Sequence, residues 1–263
     1  MSEKVVLVEE NNGILEVTIN RPKALNALNA EVLSELTSLL EPLVAKKPIP
    51  YSGMLLKGSG DKAFVAGADI KAMNEMTPSQ GEEFARLGQH VIGLLEKLPF
   101  PVIAAVNGFA LGGGCEISMA ADFIYCTESA VFGQPEVNLG LIPGFGGTQR
   151  LFRYVGLARS KELIYTGKNI KSDEALRIGL VNKVFPSNEE LIAGARKTLS
   201  LIAAKSRVTI NICKDLINKT ENLDLESGLD LEAKAFYAAF ETEDKKEGVS
   251  AFVEKRKAEF KHC

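Results

Sequence analysis

Apolar residues recur at two spacings along this chain, and the balance between them changes near residue 190. Residues 5–9 and 14–20 alternate as strands do, around the turn Asn11-Asn12-Gly13. In the second, Leu15, Val17 and Ile19 share one face while Glu16 and Thr18 take the other, and the pattern stops at Asn20-Arg21-Pro22. With Asn29 as N-cap, Val32, Leu33, Leu36, Leu39, Leu40 and Leu43 follow at helical spacing, which predicts an amphipathic helix over residues 30–46 that Pro42 bends or shortens. A strand over 53–57, the turn Gly58-Ser59-Gly60 and a segment at 63–70 come next. Phe84, Leu87, Val91, Leu94 and Leu98 stripe a second helix, closed by Pro99 and Pro101. The run 101–106 is short and wholly apolar, as a strand buried on both faces is. A glycine-rich turn then opens a helix near 115–121, and a strand near 122–125 and short alternating elements carry the chain to about Phe185.

From Glu189 onward the strand period disappears. Helical periods cover residues 191–204, 208–218, 225–240 and 248–260. The chain therefore divides, without a linker, into an α/β core over residues 1–190 and a helical C-terminal region over 191–263. Alternation alone predicts a doubly wound sheet for the core.

Composition narrows the class. A chain of 263 residues with 46% hydrophobic and 25% charged content buries a substantial core, and its net charge of −3 gives no basic field for nucleic acid or an anionic membrane. Cys115, Cys126, Cys213 and Cys263 form no CxxC pair and read as reduced thiols. The N-terminal MSEKVVLVEE is acidic where a targeting peptide is basic, and the longest apolar runs fall short of a bilayer span. The expectation is a cytoplasmic protein.

Several chemistries drop out. His90 lies beside the apolar stripe of a predicted helix and His262 is next to last, so neither joins a metal cluster or a Ser-His-Asp triad. No phosphate loop or dinucleotide fingerprint is present, and Gly112-Gly113-Gly114 lacks the pattern of the latter. What remains is the stretch 107–116, which follows a buried strand and opens a helix. Glycines there let backbone approach a ligand, and the first N–H groups of a helix lack partners and favour a negatively charged oxygen. Glu116 follows directly. Glu136 stands in Phe132-Gly133-Gln134-Pro135-Glu136, before a second glycine-dense segment at 141–148. Two carboxylates in apolar, glycine-rich surroundings suit a pair with separated pKa values, one a base and the other an acid; two unrelated surface loops are the alternative.

These segments together resemble the enoyl-CoA hydratase (crotonase) family. The matches are NRPKALNAL at 20–28, AFVAGADI at 63–70, AAVNGFALGGGCE at 104–116, FGQPE at 132–136, IPGFGGTQRL at 142–151 and FVEKRKAEFK at 252–261, in order over essentially the whole chain. The resemblance implies an α/β spiral of repeated strand–strand–helix units with a C-terminal helical region that builds trimers, usually paired as hexamers. It implies an acyl-CoA substrate, no metal or redox cofactor, and a backbone oxyanion hole at Ala68 and Gly113. Glu116 and Glu136 would hold one water with help from the Gly144 N–H, Glu116 activating it and Glu136 delivering a proton. Lys23, Ala24, Leu25, Ala66, Asp69 and Ile70 match CoA-contacting positions, and Phe252 and Lys255 match positions that reach CoA from a neighbouring subunit. Isomerases of the family generally keep only one of the two glutamates, so the pair favours hydration over isomerisation. Some related hydratases bind RNA, but here only Lys255-Arg256-Lys257 supports that reading, and a solvated charge face explains it better.

Overall fold

The computed structural model describes residues 4–220 and 222–263, and in it the chain winds through two sheets. Strands β1 (Val6–Asn11) and β2 (Ile14–Ile19) form the predicted antiparallel hairpin, with Val8 opposite Val17. Asn12 and Gly13 take φ of 51° and 74°, the left-handed pair that a two-residue turn requires. Helix α1 (Ala30–Val44) begins where the Asn29 side chain accepts the Val32 N–H. It ends two residues before the expected boundary, with Pro42 in its last turn.

The next three turns of the chain repeat one plan: a strand in the larger sheet, a short strand in the smaller one, then helix. β3 (Gly53–Gly58) leads to β4 (Ala63–Val65), α2 (Ile70–Met73) and α3 (Pro78–Lys97). β5 (Val102–Val106) leads to β6 (Phe109–Leu111) and α4 (Gly113–Met119). β7 (Phe123–Thr127) leads to β8 (Val131–Gly133), α5 (Gly147–Val155) and α6 (Leu157–Thr166). β9 (Asn169–Lys171), α7 (Ser172–Arg177) and β10 (Lys183–Phe185) complete the series. The larger sheet runs β1-β2-β3-β5-β7-β10 and the smaller β4-β6-β8-β9.

This spiral replaces the doubly wound sheet that alternation alone predicts. The reason lies at the corners between sheets, where the chain passes so close to itself that only glycine fits. A Cβ built at Gly58 would lie 2.2 Å from the Phe64 carbonyl oxygen, and one at Gly108 the same 2.2 Å from that of Lys62. Strand β5 is buried along its whole length, as its apolar run predicts, and the α1 and α3 stripes pack into one core with it.

After β10 the described residues form only helices: α8 (Asn188–Ala203), α9 (Arg207–Thr220), α10 (Leu225–Phe240) and α11 (Glu243–Val253). Leu191, Ala195 and Leu199 of α8 cover the outer face of the larger sheet against Leu55, Ile103 and Tyr125. Lys214 anchors α9, its Nζ donating to the Phe100 carbonyl at 3.0 Å and to Asp122 Oδ2 at 2.8 Å. The last helix starts and stops earlier than the periodicity at 248–260 predicts. Lys255 takes φ 57°, and Asp244 Oδ1 accepts the N–H groups of Lys261 at 2.7 Å and His262 at 2.9 Å, so the final residues fold back along α11. Among the described residues, no helix is long and apolar enough to cross a membrane.

Glu16, on the polar face of β2, is buried beneath α8 rather than solvated. Its Oε1 accepts from Arg196 Nε at 2.7 Å and its Oε2 from Lys57 Nζ at 2.6 Å. Burial alone would raise this carboxyl, but the hydrogen bonds and charges of Arg196 and Lys57 outweigh it and hold it near 2. A depressed folded value stabilises the fold above the ordinary value of 4.5, and that contribution is lost as pH falls toward 2. Glu16→Gln is therefore expected to cost about 1.5–3 kcal/mol at pH 7. In denaturant titrations the gap from the parent should close between pH 4.5 and 2; a gap independent of pH would refute the ion pair's role.

Candidate active site

A cavity of about 530 Å³ opens between α2 and α3, the turn entering α4, and the segment that precedes α5. Its chemistry begins at that turn. Gly112 takes φ 48°, a conformation open to glycine, while its N–H donates to the Gly133 carbonyl at 2.9 Å. A Cβ at Gly114 would lie 1.9 Å from the Val65 carbonyl oxygen, so α4 starts pressed against β4. The Glu116 N–H makes a helical bond to the Gly112 carbonyl at 2.9 Å, and the N–H groups of Gly113, Gly114 and Cys115 before it have no carbonyl four residues back within the helix. Gly113 lines the cavity.

Ala68 faces the same space for a different reason. It forms a parallel bridge with Leu28, in which the Leu28 N–H donates to the Gly67 carbonyl at 2.9 Å and the Asp69 N–H to the Leu28 carbonyl at 2.8 Å. In that pattern the central residue's own N–H and C=O turn away from the partner strand. Ala68 also lines the cavity.

Glu116 is 1% exposed, and its Oε1 accepts the Phe145 N–H at 2.9 Å and the Gly147 N–H at 2.6 Å. Burial pushes its carboxyl up to about 7. The Gly147 and Phe145 N–H groups and the Arg150 cation pull it down, while the Glu136 charge adds to the rise. Glu136 opens the 3₁₀ turn Glu136–Leu139, and burial raises its carboxyl as well. Gln134 is buried beside it. With the carboxamide turned as the surrounding donors and acceptors require, its nitrogen donates to both Glu136 oxygens at 3.1 and 3.3 Å. A Cβ at Gly112 would come 2.7 Å from Glu136 Oε1, so this carboxylate lies directly over the turn that launches Glu116. The arrangement thus offers two carboxyls that hold protons above the usual carboxylate range, beside backbone donors at a helix start, in a largely apolar cavity.

Of the residues singled out in the sequence, Ala66, Ala68, Ile70, Gly113, Glu116, Glu136 and Gly144 line this one cavity. Lys23 and Ala24 lie in the 3₁₀ turn Pro22–Ala24, with Leu25 at its end in the left-handed region; the Ala66 N–H donates to the Leu25 carbonyl at 3.0 Å, which sets this group beside the cavity rather than in its wall. The Asp69 side chain serves the fold. It caps α2 and pairs with Arg21 Nη2 at 3.0 Å, and those contacts outweigh burial and hold its carboxyl below the ordinary value. Phe252 stands in the last turn of α11 and Lys255 just past it; neither lines its own chain's cavity, and Phe252 is 85% exposed. Gln134 and the N–H groups of Phe145 and Gly147 are site groups that the sequence does not single out. Their motif segments are visible in it, but which atoms turn inward depends on packing between distant segments.

A protein-family model described as enoyl-CoA hydratase/isomerase matches residues 9–262. The chain is 48% identical to the short-chain-enoyl-CoA hydratase of Clostridium acetobutylicum over 97% of this chain and 96% of that protein. It is 45% identical to the crotonyl-CoA hydratase of Syntrophomonas wolfei over 99% of both. Among solved structures, an enoyl-CoA hydratase from Bacillus anthracis aligns with a TM-score of 0.94 at 37% identity, covering 98% of this chain and all of that one.

Proposed function

The chain belongs to the enoyl-CoA hydratase/isomerase family, and from that membership and the two carboxyls that share one cavity we propose that it hydrates trans-2-enoyl-CoA thioesters reversibly to 3-hydroxyacyl-CoA. The observation that carries this reading is that Glu116 and Glu136, both with raised carboxyls, share the cavity that Ala68 and Gly113 also line, Glu136 lying against the turn that launches the helix of Glu116. Isomerisation needs one such group; adding water across a double bond uses an acid and a base together.

In this mechanism the thioester carbonyl oxygen sits between the N–H groups of Ala68 and Gly113. As water adds at Cβ, negative charge grows on that oxygen, and the donors stabilise it more than they stabilise the ground state; one donor of this kind is worth about 2.7–4 kcal/mol in other enzymes. Ionised Glu116, steadied by the Phe145 and Gly147 N–H groups, takes a proton from the water that the Gly144 N–H helps to place. Glu136, carrying the proton that the pair shares, gives it to Cα. The pair then returns to its starting state by exchange with solvent, and its titration belongs to both groups jointly.

The CoA portion would run past Lys23, Ala24 and Leu25 along the edge formed by Ala66, Asp69 and Ile70. Phe252 and Lys255 would reach it from a neighbouring copy. In this reading residues 1–190 hold the site and residues 191–263 build a trimer, alone or paired as a hexamer. The apolar side chains that α10 and α11 leave exposed, among them Leu225, Phe236 and Phe252, support that assignment. The test is a spectrophotometric assay on enoyl-CoA substrates of graded acyl length, with neither nicotinamide nor metal added. Disappearance of the conjugated thioester absorbance is expected, unaffected by a chelator. Activity that vanishes with the chelator and returns with a divalent metal would overturn the proposal.

A further inference from the structure

We propose that Arg150 is a positioning residue for Glu116, holding from α5 the loop whose N–H groups grip that carboxylate, and that Glu96 at the end of α3 aims it. The inference rests on the reading of Glu116 as the base. Three contacts of one guanidinium define the arrangement. Arg150 Nε donates to Glu96 Oε1 at 2.6 Å and Nη2 to Glu96 Oε2 at 2.8 Å, a forked pair of the kind that fixes orientation as well as distance. The remaining nitrogen, Nη1, donates to the Phe145 carbonyl at 3.3 Å. The same Phe145 gives its N–H to Glu116 Oε1 at 2.9 Å, so its backbone is held at one end by the cation and at the other by the buried carboxylate.

The loop is shaped to admit the guanidinium. Gly146 takes φ 110°, and a Cβ built there would lie 2.0 Å from Arg150 Nη1. The next N–H, from Gly147, is the second donor to Glu116 at 2.6 Å. The Phe145 ring locks the segment from the other side, edge-on to Phe84 at 5.3 Å and against Gly88, where a Cβ would come within 2.3 Å. The result is a row of alternating charge: Glu96, Arg150, Glu116. Of the charges that act most on Glu116, Arg150 is the cation that favours its ionisation and Glu136 the anion that opposes it, and the neighbouring Cys115 thiol is held neutral by burial. Arg150 itself stays charged, because Glu96 more than offsets its burial.

An arginine that merely stabilised α5 would change stability and amount of active enzyme, leaving the pH dependence of catalysis alone. One that positions and favours the Glu116 carboxylate changes both the rate and the pH at which the base form appears. The sign follows from the charges: removing the cation disfavours ionised Glu116, so the ascending limb of the rate profile moves to higher pH.

The experiment compares pH profiles of kcat and KM for the full-length enzyme with those of Arg150→Met, Arg150→Lys and Glu96→Gln, each checked for folding by circular dichroism. Arg150→Met should lose roughly 10- to 100-fold in kcat with little change in KM, as small misplacements of a catalytic group do, and its ascending limb should move up in pH. Arg150→Lys keeps the charge but not the fork; its rate should fall while its limb stays near that of the parent. Glu96→Gln, the milder change if Arg150→Met does not fold, frees the guanidinium to swing away and should slow the enzyme less, with a smaller shift of the limb. An unshifted limb in a folded Arg150→Met or Glu96→Gln enzyme, with kcat and KM changed only in line with lost stability, would overturn the inference. Titration of the carboxyl carbons by NMR in the substrate-free protein, assigned with Glu116→Gln, follows the Glu116 carboxyl independently of turnover. If Glu116→Gln remains active, the reading of Glu116 as base fails; if its carboxyl titrates identically with and without Arg150, the present inference fails.

Discussion

Glu116→Gln and Glu136→Gln are each expected to lower kcat by about 10²–10⁴-fold while the protein stays folded. Glutamine keeps the size of the side chain and still accepts the Phe145 and Gly147 N–H groups, but it neither takes a proton from water nor donates one as a carboxylic acid does. The double variant should lose far less than the product of the single losses, because both groups act on one water and one substrate. Strict multiplicativity would mean separate sites. The same substitution predicts a stability change of known sign. The Glu116 carboxyl titrates near 7 in the fold against an ordinary 4.5, so the folded state holds the proton more tightly. Its stabilising contribution is fully present below pH 4.5 and is lost as pH rises through 7. Glu116→Gln should therefore be the more stable protein at pH 8, with the advantage shrinking toward pH 5. A variant that is inactive but less stable at pH 8 would point to a structural role.

The second large effect concerns the tail. Deleting the chain after Lys219 removes α10 and α11, and activity should fall to background, although neither helix touches the cavity of its own chain. Helix α10 contributes no buried residue, yet Leu225, Leu229, Phe236, Tyr237 and Phe240 on it are all large, apolar and exposed. Those surfaces would be covered by a second copy, and Phe252 and Lys255 would then approach that copy's CoA. Light scattering should show a smaller or aggregated species for the truncated protein. Lys255→Ala, a lighter change, should raise KM while leaving kcat nearly intact, since a contact to CoA acts alike on ground and transition states. A soluble, fully active monomer from the truncation would refute the assignment.

Much of this fold is legible in the sequence because single elements announce themselves. The Asn29 cap, the α1 and α3 stripes, the buried run of β5 and the all-helical tail follow from side-chain spacing and local chemistry, and the structure reproduces them within a few residues. The division into two sheets does not follow from spacing. It is fixed at corners such as Gly58 and Gly108 by contacts with residues that are distant or of no periodic pattern, so alternation alone predicts a doubly wound sheet while the family resemblance predicts the spiral. The end of α11 departs from its predicted place for a related reason. Phe252 and Phe260 continue a helical period, but backbone capture by Asp244 and Glu247 competes with it and wins.

The site is legible to the same depth. Two glutamates in glycine-rich segments can be found by eye, and they share a cavity. What spacing cannot give is the set of groups that hold them: Gln134 on Glu136, the 145–147 backbone on Glu116, and Arg150 behind it. Nor can it separate cavity wall from scaffold. Asp69 matches a CoA-contacting position by its motif, and spacing does not show that its carboxylate also pairs with Arg21 and caps the start of α2.

The measurement that reaches the central claim most directly is isotopic. Incubating a trans-2-enoyl-CoA with the enzyme in 18O-labelled water and weighing the product distinguishes addition of water from movement of a double bond. The expected product is a 3-hydroxyacyl-CoA carrying one solvent oxygen, formed by the parent enzyme and lost in both Glu116→Gln and Glu136→Gln. A product of unchanged elemental composition with a migrated double bond and no label, or label incorporated at the parental rate by either variant, would contradict it.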